Sequence, residues 1–180
     1  MNTIAPFRER LVFDDGNGAL MDQTRRYMLI RPAALMGIFR RLPEPARRQA
    51  LEAFAESIVE QGSDSARAYA AMEGGGPALA RTVAATAPQL GWGTWTFDLG
   101  PDSIRLEVRN SPFAVGFGPS DTPVCSPILG MVKAVSAMIL GREPEVQETE
   151  CAACGSQIPC SQVRGSEVCR FEARLPEAAA

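Results

Sequence analysis

Trp92-Gly93-Thr94-Trp95-Thr96-Phe97-Asp98 and Ile104-Arg105-Leu106-Glu107-Val108-Arg109 stand on either side of Gly100-Pro101-Asp102. Both runs alternate at every second position, the period of a half-buried strand, and the Gly-Pro-Asp turn joins them as a hairpin. Downstream the period changes. Between residues 125 and 140, Ile128, Met131, Val132, Val135 and Ile139 recur at three- and four-residue spacing, one apolar face of a helix that Gly141 stops. Residues 146–151 and 169–175 again read as strands. Upstream the pattern is helical: residues 33–41 behind Pro32, then a helix opened by Pro43 and Pro45 that carries Leu51, Phe54, Ala55, Ile58 and Val59 and ends at Gly62. Ser63 caps a further helix over 64–72, and after the break Gly74-Gly75-Gly76-Pro77 another follows over 78–87. Residues 113–117 read as a third short strand. The order predicts an α+β protein, N-terminal helices followed by a small antiparallel sheet with a long covering helix. Residues 1–26 read as an N-terminal arm, 27–175 as one domain, and 176–180 as a frayed tail.

The chain has 180 residues and a net charge of −3, so a basic nucleic-acid footprint is not expected. It contains no histidine. That removes Ser-His-Asp and Cys-His nucleophile systems, His-ligated haem and every metal site that needs imidazole. Of its 18 basic residues all but Lys133 are arginine, which with the high alanine content suggests a GC-rich bacterial coding bias. No secretory signal is visible, and the longest apolar stretch, 127–141, is too short to span a bilayer. A cytoplasmic location is the expectation, and there cysteines serve as thiols or metal ligands more often than as disulfides. Gly74-Gly75-Gly76 lacks the Gly-Lys-Ser/Thr that a phosphate loop needs.

Five cysteines occur: Cys125, Cys151, Cys154, Cys160 and Cys169. The odd total argues against a fully paired disulfide framework. On spacing alone, Cys151, Cys154, Cys160 and Cys169 supply four thiolates to a tetrahedral zinc. A redox role for Cys151 and Cys154 would need a helix N-terminus and a depressed pKa, a context that Ala152-Ala153 does not offer.

Several stretches resemble the vinyl-4-reductase domain family, which includes the phenol- and toluene-sensing input domains of aromatic-responsive bacterial activators. They are Gly91-Trp92-Gly93-Thr94-Trp95, Val108-Arg109-Asn110-Ser111-Pro112-Phe113, Pro123-Val124-Cys125 before the apolar helix, Gly141-Arg142, Glu148-Thr149-Glu150-Cys151, and Cys169-Arg170-Phe171-Glu172. The resemblance covers about residues 88–175 and, more weakly, the helices from Tyr27 onward. It implies a ligand-binding fold shared with vesicle-tethering TRAPP subunits, usually dimeric. It also implies a structural zinc on Cys125, Glu148, Cys151 and Cys169, which leaves Cys154 and Cys160 as the alternates that spacing supplies. Glu148 and Cys151 are an odd number of residues apart, so a regular strand would point them to opposite faces and the strand must turn or bulge between them.

The resemblance further implies an apolar cavity between the sheet and the covering helix, walled by Trp95, Phe97, Leu106, Val108 and Phe113 on one side and Ile128, Met131, Val132 and Val135 on the other. The aromatic sensors hold phenol with a histidine that this chain lacks, and their pocket tryptophan falls near Val108. The expected function is a binding protein for a small apolar or hydrocarbon ligand, a sensor or carrier that works through a downstream protein partner, without catalytic residues. The alternative is a bacteriochlorophyll-pathway 4-vinyl reductase-type protein or tetrapyrrole carrier, although no nicotinamide or flavin fingerprint is present.

Overall fold

The computed structural model describes residues 5–155, 164, 165 and 167–176. Cys160 and residues 177–180 of the expected tail lie outside them. After an N-terminal segment of one helical turn and three short strands come the helices α2 (Pro32–Arg41), α3 (Ala46–Glu73) and α4 (Pro77–Thr86), followed by a 3-10 turn over Ala87–Leu90. Next come the hairpin strands β4 (Thr94–Leu99) and β5 (Ser103–Arg109), a short helix α5 (Pro112–Phe117), and the covering helix α6 (Ser126–Leu140). Strands β6 (Glu145–Cys151), β7 (Arg164–Gly165) and β8 (Cys169–Arg174) complete the chain. The sheet order is β4-β5-β8-β6-β7, antiparallel except for β7, which runs parallel to β6.

The core lies between this sheet and α6. Ile104, Leu106 and Val108 of β5 alternate inward, as their period requires, and meet Phe171 and Ala173 of β8 and Ile128, Val132 and Val135 of α6, all fully buried. A third layer follows, because α3 crosses the outer side of α6. The two helices approach so closely at Gly130 that a Cβ there would stand 2.3 Å from the carbonyl oxygen of Ala55.

Three expectations are corrected. Residues 46–73 form one continuous helix, neither ended at Gly62 nor restarted at Ser63. Gly62 is there because Met131 of α6 packs on it, a Cβ meeting the Met131 Cε at 2.9 Å, and Ser63 donates its hydroxyl back to the Val59 carbonyl instead of capping. Residues 113–117 are helical. Ser111 caps that helix by accepting from the Ala114 N–H at 3.4 Å, and Pro112 occupies the first turn, where its missing N–H costs nothing. The segment read as an arm is folded. A single turn, α1 (Phe7–Arg10), leads into an antiparallel sheet of β1 (Val12–Asp14), β2 (Ala19–Asp22) and β3 (Arg25–Tyr27). It is tied to the body where Arg10 donates to Tyr69 on α3 (3.2 Å) and Arg8 to the Pro88 carbonyl (3.3 Å). No helix among the described residues is long and apolar enough to cross a membrane.

Candidate metal centre and ligand cavity

Three elements converge on one buried cluster. Cys125 stands at the N-cap of α6, Glu148 and Cys151 lie on β6, and Cys169 opens β8 opposite Val108 of β5. The expected irregularity between Glu148 and Cys151 is present. Glu148 pairs with Phe171 and Glu150 with the next residue, Arg170, so Thr149 is an extra residue in β6, a β-bulge. The bulge reverses the alternation, and one ligand atom each from Cys125, Glu148, Cys151 and Cys169 lies within 4.8 Å of the others.

The cluster is dry. Cys125, Cys151 and Cys169 are fully buried and Glu148 nearly so. The Cys125 and Cys169 sulfurs are 3.4 Å apart, the Ala152 N–H donates to Cys169 Sγ at 3.3 Å, and the Cys125 N–H donates to Glu148 Oε2 at 3.3 Å. The other carboxyl oxygen, Oε1, has no hydrogen-bond partner among the described residues. Burial pushes the Cys125 thiol and the Glu148 carboxyl well up, since neither charge is solvated. Hydrogen bonds from Cys125 and then Cys151 pull Cys169 down to about 5. Four acidic ligand groups thus share a space that holds few negative charges without a cation.

That arrangement fits a four-coordinate metal. Tetrahedral zinc with Zn–S bonds of about 2.3 Å sets its sulfurs about 3.8 Å apart, close to the spacing here, and a metal would occupy the unused carboxyl oxygen. With four protein ligands no position stays open for substrate, so such a site holds structure together. Cys154 is buried in the turn after β6, its N–H donating to the Cys151 carbonyl at 3.1 Å, and stands outside the cluster.

A separate cavity of about 650 Å³ lies between the N-terminal sheet, α3, α4 and the start of β4. Of the residues expected to line a pocket, Trp95 and Met131 reach this cavity. Phe97 is half-buried beside Trp95, and Leu106, Val108, Phe113, Ile128, Val132 and Val135 are packed into the core. The cavity is thus displaced from the sheet–helix layer towards α3. The residues that sequence reasoning missed are Phe7, Tyr27, Tyr69 and Trp92. A signal existed, because both tryptophans and both tyrosines of the chain line this one space. The Trp92 carbonyl accepts from the Trp95 indole N–H at 3.0 Å, which fixes the pair. Next to Tyr69 of this cavity, Arg10 grips both oxygens of buried Asp22, at 3.2 and 3.0 Å, and also donates to the Tyr69 hydroxyl.

No family model and no curated protein matches the sequence. Solved structures do match. The crystal structure of the phenol-responsive sensory domain of the transcription activator PoxR with phenol aligns at 19% identity and a TM-score of 0.72, over 93% of this chain and 85% of that one. A vinyl-4-reductase family protein from Methanocaldococcus jannaschii aligns at 15% identity and a TM-score of 0.47, over 82% of this chain and 96% of that one. Across nearly its whole length the chain shares its fold with that phenol-responsive sensory domain, and it carries a buried Cys/Glu cluster able to hold a metal ion at the head of its covering helix.

Proposed function

We propose that this chain is a small-molecule-binding module, a sensor or carrier, that takes an apolar ligand into the cavity beside Trp92 and Trp95. In it a structural zinc on Cys125, Glu148, Cys151 and Cys169 fixes α6 against β6 and β8. The observation that carries the reading is the cavity itself, about 650 Å³ and walled largely by aromatic and aliphatic side chains. That volume is in the range of small-molecule sites. The phenol-bound neighbour of the same fold adds support at the level of ligand class, and the absence of histidine here argues for a ligand other than a phenol. We further propose a homodimer. Val12 and Phe13 on β1 and Met28 and Leu29 after β3 are exposed apolar side chains that a second copy would cover.

The test uses the protein's own reporters. Both tryptophans line the cavity, so intrinsic fluorescence reads its occupancy without a label. Titration with a graded series of apolar compounds should shift that emission saturably, and native mass spectrometry of unchelated protein should show one zinc per chain. Emission indifferent to every compound would overturn the cavity reading, and metal-free protein that takes up no added zinc would overturn the metal reading.

A further inference from the structure

Arg25 and Arg26 stand on the N-terminal wall of the cavity, and among the described residues neither has a carboxylate within ion-pair distance. Arg25 lies opposite Asp22 in the β2–β3 register and shares its face. Asp22 is already held at both oxygens by Arg10, which leaves Arg25 a guanidinium without compensation. Among the described residues Arg26 donates to the Gly18 carbonyl, at 3.1 Å. The acidic residue on the cavity wall, Asp64, is taken by Arg67. Most of the remaining wall is apolar, with Val83, Trp92, Trp95 and Met131 among its residues. A cavity walled mostly by apolar side chains and carrying two arginines without carboxylate partners is complementary to a molecule with the opposite halves. A planar guanidinium fork also matches a carboxylate.

We propose that the ligand is an amphipathic carboxylate, its apolar body against Trp92, Trp95 and Met131 and its carboxylate on Arg25, with the charge of Arg26 on the same cavity wall adding to the attraction. This rests on the reading of the cavity as an apolar ligand site and names the head group that such a ligand carries. A cavity that recognised only apolar surface would prefer an alcohol to the ionised acid of the same chain length, because the carboxylate costs more to desolvate. A guanidinium on the cavity wall with no carboxylate partner of its own reverses that order.

The experiment compares decanoate with 1-decanol on the wild-type protein, read by tryptophan fluorescence at low salt and again at about 0.5 M NaCl. Decanoate should bind about tenfold more tightly than decanol at low salt, and the salt should narrow the gap, since it screens the head-group contact and leaves the tail untouched. Arg25→Gln with Arg26→Gln should weaken decanoate by about tenfold and leave decanol within about twofold. Decanol binding as tightly as decanoate, or tighter, would overturn the carboxylate assignment and leave the apolar cavity standing. Equal weakening of both ligands in the double variant would overturn it too. Failure of both ligands to bind wild-type protein would overturn both readings. The wild-type pair and its salt series decide the matter even if the double variant does not fold.

Discussion

Glu148→Gln should act with opposite signs with the proposed zinc bound and with it removed. In the zinc-loaded state the change replaces an anionic ligand by a neutral amide in a cluster buried from water. A loss of about 100-fold in affinity corresponds to about 2.7 kcal/mol of metal-linked stability. For a chain of 180 residues that lowers Tm by about 5–11 °C. In the chelated state the same carboxyl is a burden. Burial raises its pKa well above the usual range, so its folded form binds a proton that the unfolded form has released. A group shifted this way supports folding below the ordinary carboxylate range, and that support drains away as pH rises towards the raised value. Glutamine has nothing to ionise. Chelated Glu148→Gln should therefore gain on chelated wild type by about 1.4 kcal/mol per pH unit through that window. Thermal unfolding of both proteins, with excess zinc and with chelator, from pH 5 to 8, reads both arms. Equal shifts in the two metal states would refute the assignment of Glu148 as a ligand, and a chelated gap that does not move with pH would refute the raised carboxyl.

Gly130→Ala should destabilise the fold even though alanine is the better helix former by about 1 kcal/mol, because the new Cβ would stand 2.3 Å from the Ala55 carbonyl oxygen and α3 must back away from α6; urea unfolding should show a net loss of about 1–3 kcal/mol. Arg10→Met leaves Asp22 buried without its partner and should cost about 3 kcal/mol by the same assay, with the double change Arg10→Met, Asp22→Asn recovering much of the loss. Acidification should release zinc, since its thiolate ligands compete with protons; occupancy followed by a chromogenic chelator should hold at neutral pH and fall as pH drops towards 5.

The half of the molecule built from strands and α6 was legible because its signals are local and periodic. Alternation at 104, 106 and 108 and the helical spacing of 128, 132 and 135 each identify a face, and the faces meet. The bulge at Thr149 was also legible, because only an irregular strand brings Glu148 and Cys151 to one side. The N-terminal sheet was not. Its strands are three or four residues long, too short for a period, and Asp22 looks like a surface residue until Arg10 folds over it. Gly62 misled for a related reason. A glycine reads as a helix stop when its role is to admit a side chain from another helix, here Met131, some seventy residues away in sequence.

Met131 also shows how the two candidate sites depend on each other. It lies on α6 six residues after Cys125, about 9 Å along the helix axis at 1.5 Å per residue. Its side chain fills the notch at Gly62 and forms part of the cavity wall. A metal on Cys125 would therefore pin the near end of the very helix that supplies this wall, and cross-link it to β6 and β8. If that metal were removed, α6 would keep its core contacts through Ile128, Val132 and Val135 but lose the anchor at its N-terminus. The cavity should then admit ligand less selectively before the sheet itself loosens. In a domain of this design the zinc would do no chemistry on the ligand, yet removing it would change what the cavity can tell apart.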